Sequence, residues 1–349
     1  FCGLLTAGKN ICRIFVFPGS EKDWTKSWNV YNIIVMRVFE NRGAAVLYYF
    51  LKGNNSGRPF LLPANVCPIV PLTFFKAGVP FEFVDIDETH AMCRSQCIDR
   101  ISHKKYGGIL FVHAYGRIFD NGAFYRQLKT FDPSLLIIDD KCLCRPRLTD
   151  EVPADTDLEL YSTGYAKYIE FAYGGWGIVN DCLNYIREPL VFREEVYKEL
   201  MEYLRLCLNK GCCWDMTWEE WLDGSVFRES VPAYLQKIAF RLAEMDQHKE
   251  CLNGIYEKNL PKEIQWGKDY NSWRFMINII NREKVLAKIF EAGLFAGTNF
   301  PSVSYLFGGI SLPHAEEEQK RVMNLFNDFR VDEEFAYKVC DIINRYATF

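Results

Sequence analysis

Leu158-Glu159-Leu160-Tyr161-Ser162-Thr163-Gly164-Tyr165-Ala166-Lys167 is a short apolar run that ends in a hydroxyl, five residues ahead of a lysine. The glycine pair Gly174-Gly175 follows seven residues after that lysine, and Leu135-Leu136-Ile137-Ile138 upstream closes on the paired acids Asp139-Asp140. Taken singly these features are ordinary, since most lysines are solvated surface charges and aspartates often end strands. Their joint spacing carries the argument.

Working outward, short apolar runs alternate with helical patterns from about Arg42 to Val179. Ala44 to Lys52 and Val70 to Lys76 read as helices, the second closed by Gly78. Phe60 to Leu62, Phe81 to Val84, Gly108 to Val112, Leu135 to Ile138, Leu158 to Tyr161 and Trp176 to Val179 read as strands. Continuous apolar runs separated by helices indicate parallel strands buried on both faces. Such a sheet places its ligands beyond the carboxyl ends of its strands, where His113, Asp139, Asp140 and Ser162 all fall.

Beyond the sheet, Cys182 to about Leu208 reads as helical, and Val231 to Leu260 as one long amphipathic helix with Leu235, Ile238, Leu242 and Met245 on a stripe. Between them Gly211 to Arg228 is irregular and carries Trp214, Trp218 and Trp221. The remainder reads as a strand at Trp273 to Ile280, a helix at Arg282 to Ala292, and closing helices at about Ala315 to Phe326 and Glu333 to Tyr346. The expected division is a large domain over 1–260 and a small α+β domain over 261–349.

The 349 residues, 49% hydrophobic and 25% charged, suffice for a large core. A net charge of −4 provides no broad positive field, which argues against nucleic acid as a partner. No apolar run approaches the ~20 residues that span a bilayer, and the first twenty residues, with Lys9 and Arg13, lack the order of a signal peptide. The expected location is cytoplasmic, with no membrane partner. The 13 cysteines are odd in number and scattered from Cys2 to Cys340, as reduced apolar filler would be, and their spacing matches no structural metal site.

An amine, an acid at a strand end, and hydroxyl or glycine residues nearby are what pyridoxal 5'-phosphate requires. The amine forms a Schiff base, the acid keeps the ring nitrogen protonated, and small residues let the phosphate approach.

A wider pattern supports this. Arg42-Gly43-Ala44-Ala45-Val46-Leu47, Leu62-Pro63-Ala64-Asn65-Val66-Cys67, Ala77-Gly78-Val79-Pro80 leading to Phe83-Val84-Asp85-Ile86-Asp87, and Val112-His113-Ala114-Tyr115-Gly116 occur in order, and Asn299-Phe300-Pro301 follows in the C-terminal part. With these the chain resembles the DegT/DnrJ/EryC1/StrS family of sugar aminotransferases. The resemblance implies a fold-type I α/β transferase with a central, mostly parallel sheet, helices on both faces and a smaller C-terminal α+β domain. It also implies a homodimer that moves an amino group from an amino acid, by expectation glutamate, to a nucleotide-linked keto sugar. By position, Lys167 matches the Schiff-base lysine that then shuttles a proton, and Asp140 the acid paired with the pyridine nitrogen. Ser162 and the amides of Gly43 and Ala44 match the phosphate site, with Leu143 and His113 near the ring.

Three positions depart from the family. Leu143 stands where a glutamine or histidine commonly stacks on the ring, Ala44 where a threonine holds phosphate, and Val226 where an asparagine crosses the dimer to the same phosphate. Each lost charge-assisted bond weakens binding by about 1.5–3 kcal/mol. Two other readings stay open at this level: a sugar dehydratase of the same fold, whose relatives carry histidine in place of the lysine, and a non-catalytic member that keeps the fold for binding or regulation.

Overall fold

The computed structural model describes residues 35–149, 155–180, 182–215 and 218–348. Cys2, Lys9, Cys12 and Arg13 lie outside the described residues. The first part is a seven-stranded sheet of β1 (Val35–Glu40), β2 (Phe60–Pro63), β3 (Phe81–Val84), β4 (Gly108–Val112), β5 (Leu136–Asp140), β6 (Leu158–Ser162) and β7 (Gly175–Asn180). Their order across the sheet is β1-β7-β6-β5-β4-β2-β3. The five strands β2 to β6 run parallel, whereas β7 is antiparallel to β6 and β1 antiparallel to β7. The sheet is thus mostly parallel, and β1, which the apolar pattern does not reveal, closes one edge.

Both faces are covered, as the unbroken apolar runs require. Leu62, Leu110 and Ile138 point into one core with α1 (Gly43–Gly53), α2 (Ile69–Ala77) and α5 (Glu194–Lys210). Their neighbours Leu61, Ile109 and Ile137 point into a second core with α3 (Arg94–His103) and α4 (Gly122–Phe131). The strand period of two therefore sends adjacent residues to different environments, a rule that decides the roles of the paired acids.

The long helix α6 (Val231–Asn259) is capped by Ser230, whose hydroxyl accepts from Ala233 N. Its early turns pack Tyr234, Ile238 and Leu242 against Tyr161 and Trp176, and its late turns bury Leu252 and Tyr256 in a third core. That core is built on the two-stranded antiparallel sheet of β8 (Phe275–Asn278) and β9 (Val322–Leu325), with α7 (Arg282–Glu291) and α9 (Glu333–Tyr346), whereas α8 (Pro313–Arg321) buries Ala315 in the first core.

Two elements differ from the sequence reading. Ala315 to Phe326 is not one helix: α8 stops at Arg321, and Val322, Met323, Asn324 and Leu325 are all buried against β8. Four consecutive buried residues suit a strand enclosed on both sides and not a helix with one buried stripe. The helix expected from Cys182 begins only at Glu194, after Pro189 and an irregular approach. Eleven cysteines among the described residues are free thiols, and among these residues no helix is long and apolar enough to cross a membrane.

At the end of β1, Glu40 is buried, with Tyr185 Oη donating to its carboxylate at 3.2 Å and Arg187 Nη2 3.3 Å away. Burial pushes its carboxyl up to about 7 and outweighs the opposing pull of Arg187. The folded chain holds this proton more tightly than the unfolded chain, whose carboxyl titrates near 4.5. Its contribution is therefore complete below that value and lost as pH rises through 7, a fall of about 3 kcal/mol. Urea midpoints taken from pH 5 to 8 are expected to fall in the parent and to stay flatter in Glu40→Gln.

Candidate active site

The lysine, the acid and the start of the first helix meet at the carboxyl rim of the sheet. Asp140 ends β5 on the face that carries α1, is buried, and accepts a hydrogen bond from Cys142 N at 2.9 Å. Among the described residues it forms no ion pair. Lys167 lies in the turn after β6, half-buried, and among the described residues its amine makes neither a hydrogen bond nor an ion pair. Burial acts to lower its pKa, but Cys142, Cys67, Asp140 and Tyr197, in that order, more than offset this and raise it. The Cys142 thiol is itself pushed well up by burial and stays neutral. Asp140 is the carboxyl group among these neighbours of the amine.

The backbone around this pair is set by glycines and by left-handed residues. Ala166 has φ +54°, a conformation that costs a non-glycine residue roughly 1–2 kcal/mol. Gly43, the first residue of α1, lies directly on Ser162: a Cβ there would sit 3.2 Å from the serine Cβ. Ser162 Oγ accepts from Gly164 N at 3.1 Å and donates to Gly174 O at 3.3 Å. Ala45 N takes the first helix-type carbonyl of α1, Arg42 O at 3.0 Å, and the amides of Gly43 and Ala44 lie at the positive end of the helix dipole. Asp140, Lys167, Ser162, Gly43 and Ala44 are thus brought together.

His113 and Leu143 are not. His113 and Asp139 point to the opposite face, where His113 Nε2 lies 3.0 Å from Asp139 Oδ1 and Nδ1 accepts from Phe119 N at 3.0 Å. Tyr125 and Lys141 also bind Asp139, whose carboxyl is held low: burial opposes this, but His113, Lys141 and Tyr125 outweigh it. Both ring nitrogens of His113 are occupied, which leaves it a structural partner of Asp139 and removes it from the cofactor group. Leu143 is buried in the cluster with Ala114, Tyr115 and Trp273.

Two residues that sequence reasoning did not select stand beside the lysine. Cys142, two residues after Asp140, contacts that carboxylate through its backbone amide and thiol. Tyr197, on α5, feels Arg42, Cys67, Tyr165 and Lys167. No local signal marks Tyr197, because its place in an amphipathic helix reads as core. Arg42 Cζ lies 5.6 Å from the ring centroids of both Tyr165 and Tyr197, with Nη1 on Ala172 O at 2.7 Å and no ion pair. Val226 is 71% exposed, and Arg228 is paired with Asp223.

This architecture, a mostly parallel seven-stranded sheet with a free lysine and an acid at its carboxyl rim, is the fold of the fold-type I pyridoxal-phosphate transferases. Among solved structures, the sugar aminotransferase CalS13 from Micromonospora echinospora superposes with a TM-score of 0.63 at 16% identity, covering 88% of this chain and 87% of its own. A DegT DnrJ EryC1 StrS aminotransferase from Brucella abortus gives 0.61 at 17%, covering 89% and 85%. PseC of Helicobacter pylori, an aminotransferase involved in the biosynthesis of pseudoaminic acid, gives 0.64 at 14%, covering 89% and 86%. At these identities the likeness is one of fold. No family model matches the chain, and no curated protein matches it.

Proposed function

We propose that the chain is a pyridoxal-phosphate-dependent aminotransferase that carries an amino group from an amino acid, glutamate in the first instance, to a nucleotide-linked keto sugar. It acts in this reading as a cytoplasmic homodimer, with residues 1–260 as the cofactor-binding domain and 261–349 as the smaller one. The exposed Val226 belongs to the surface that pairing would cover.

The observation that carries the reading is the Lys167 amine, without a hydrogen bond or ion pair among the described residues, beside a buried Asp140 whose charge acts on it. The residues present fit the cofactor. Pyridoxal phosphate, when bound, supplies the electron sink that stabilises negative charge at the substrate carbon. Asp140 would hold a proton on the pyridine nitrogen, and its burial keeps that interaction strong. The Gly43 and Ala44 amides with Ser162 Oγ would take the phosphate. Lys167 would hold the cofactor and then, as a free amine, move the proton at the substrate Cα.

Because the amine of the free protein is held protonated, cofactor attachment requires its deprotonation and should speed up as pH rises. Cofactor-free protein mixed with pyridoxal phosphate is expected to develop visible absorbance that glutamate bleaches. Borohydride reduction before glutamate is added should fix the cofactor to the Lys167 peptide, and its absence from that peptide would overturn the reading.

A further inference from the structure

The residue before Lys167 is held at both its backbone N–H and its C=O, by Glu170 of the same loop and by Trp273 from a distant part of the chain. Ala166 N donates to Glu170 Oε2 at 2.8 Å, and Ala166 O accepts from Trp273 Nε1 at 2.7 Å. Glu170 is paired with Arg330 Nη2 at 3.3 Å. Trp273, buried and stacked on Phe300, has its carbonyl bound by Lys249 Nζ at 2.7 Å. Lys249 is buried too. Burial lowers its pKa to about 7, and its amine donates to Asn327 Oδ1 at 2.7 Å and lies 4.8 Å from the ring centroid of Tyr168, the residue after the reactive lysine.

These groups come from separate parts of the chain. Trp273 immediately precedes β8, Asn327 and Arg330 lie between β9 and α9, and Lys249 is on α6. Through Trp273 and Glu170 the region of the second sheet and the long helix brace both backbone polar groups of one residue at φ +54°. An alanine does not rest at that angle unaided, so something must hold it there. Two hydrogen bonds, one to each end of the same residue, do so, one braced by the buried Lys249 amine and the other by the paired Arg330.

We infer that Trp273 and Glu170 are positioning residues for Lys167, with Lys249 and Arg330 holding them in place, so that the smaller sheet sets the direction in which the reactive amine points. The reaction served rests on the proposed function, whereas the grip itself does not. A lysine carried on a relaxed turn would no longer face Asp140, and its reactivity would change although its own side chain is untouched.

The test compares the parent with Trp273→Phe, which keeps the packed ring and removes the N–H, and with Glu170→Ala at an exposed position that leaves the core intact. Two readouts are taken: the borohydride-fixed yield of pyridoxal phosphate on Lys167, and the reductive methylation rate of Lys167 by formaldehyde in cofactor-free protein. The inference expects about a tenfold fall in yield, a severalfold change in methylation rate for Lys167 alone among the lysines, and thermal midpoints near that of the parent. Ala166→Gly added to Trp273→Phe is expected to restore most of the loss, because glycine adopts the left-handed angle freely. Unchanged Lys167 methylation in both variants would overturn the inference, as would failure of the glycine to rescue. If the parent takes no pyridoxal phosphate while the variants still alter Lys167 methylation, the grip stands and the proposed function falls.

Discussion

Lys167→Ala is expected to remove the cofactor adduct completely and to lower kcat/KM by about 10²–10⁴-fold, the scale lost when a positioned proton-transfer group is deleted. The lysine next to Asp140 cannot take over. Lys141, the nearest in sequence to Asp140, lies on the opposite face with its ammonium 2.9 Å from Asp139 and bound to Glu159. Arg42 stands beside the site but cannot form an imine. The variant should fold as the parent does, since the Lys167 amine makes no bond that the fold depends on. Absorbance on adding pyridoxal phosphate, borohydride trapping and the steady-state rate check the result. A variant that kept a tenth of the activity would exclude Lys167 as the reactive group.

The second large effect is expected at Gly175. A Cβ built there would lie 2.4 Å from Gly43 N and 2.5 Å from Gly43 Cα, contacts that no side chain can yield to because both atoms are backbone. β7 passes this close because Gly174 N binds Asn41 O at 2.7 Å and Thr163 N binds Gly174 O at 3.0 Å, which clamps the helix start between β6 and β7. Gly175→Ala must push α1 off Ser162. It should cost about 3 kcal/mol or more in stability and move the two amides away from the phosphate position. The checks are the urea midpoint and the ratio of affinities for pyridoxal phosphate and pyridoxal. The parent should favour the phosphate ester strongly, and the variant should lose most of that preference. Equal preference in both proteins would mean that the amides of Gly43 and Ala44 hold no phosphate.

The sheet was legible because its inner strands are buried on both faces and therefore mostly apolar. Leu136 to Ile138 and Leu158 to Tyr161 could hardly be read otherwise. β1 was missed because it is an edge strand with Arg37 and Glu40 among its apolar residues, and β9 because four buried residues directly after a polar helix extend its apparent pattern. In the site, the spacing of Lys167, Ser162 and Gly174-Gly175 carried the central group, since those residues are local to one turn. His113 misled for a physical reason: a strand end reports closeness to the rim but not which face a side chain takes. Cys142 hides beside Leu143, and Tyr197 comes from a helix thirty residues away in sequence, so no motif holds either of them.

Asp139 and Asp140 are consecutive in one strand and yet never share a task. One is sequestered with a histidine, a tyrosine and a lysine, while the other is left exposed to whatever lies beside Lys167. The pleat alone separates them, which makes the count of residues along β5 a chemical quantity. A single insertion or deletion before Asp139 would exchange the two carboxylates, delivering the acid with occupied partners to the amine and burying the unoccupied one. Substitutions elsewhere along the rim can accumulate one at a time, but the length of this strand is fixed by the reaction it serves.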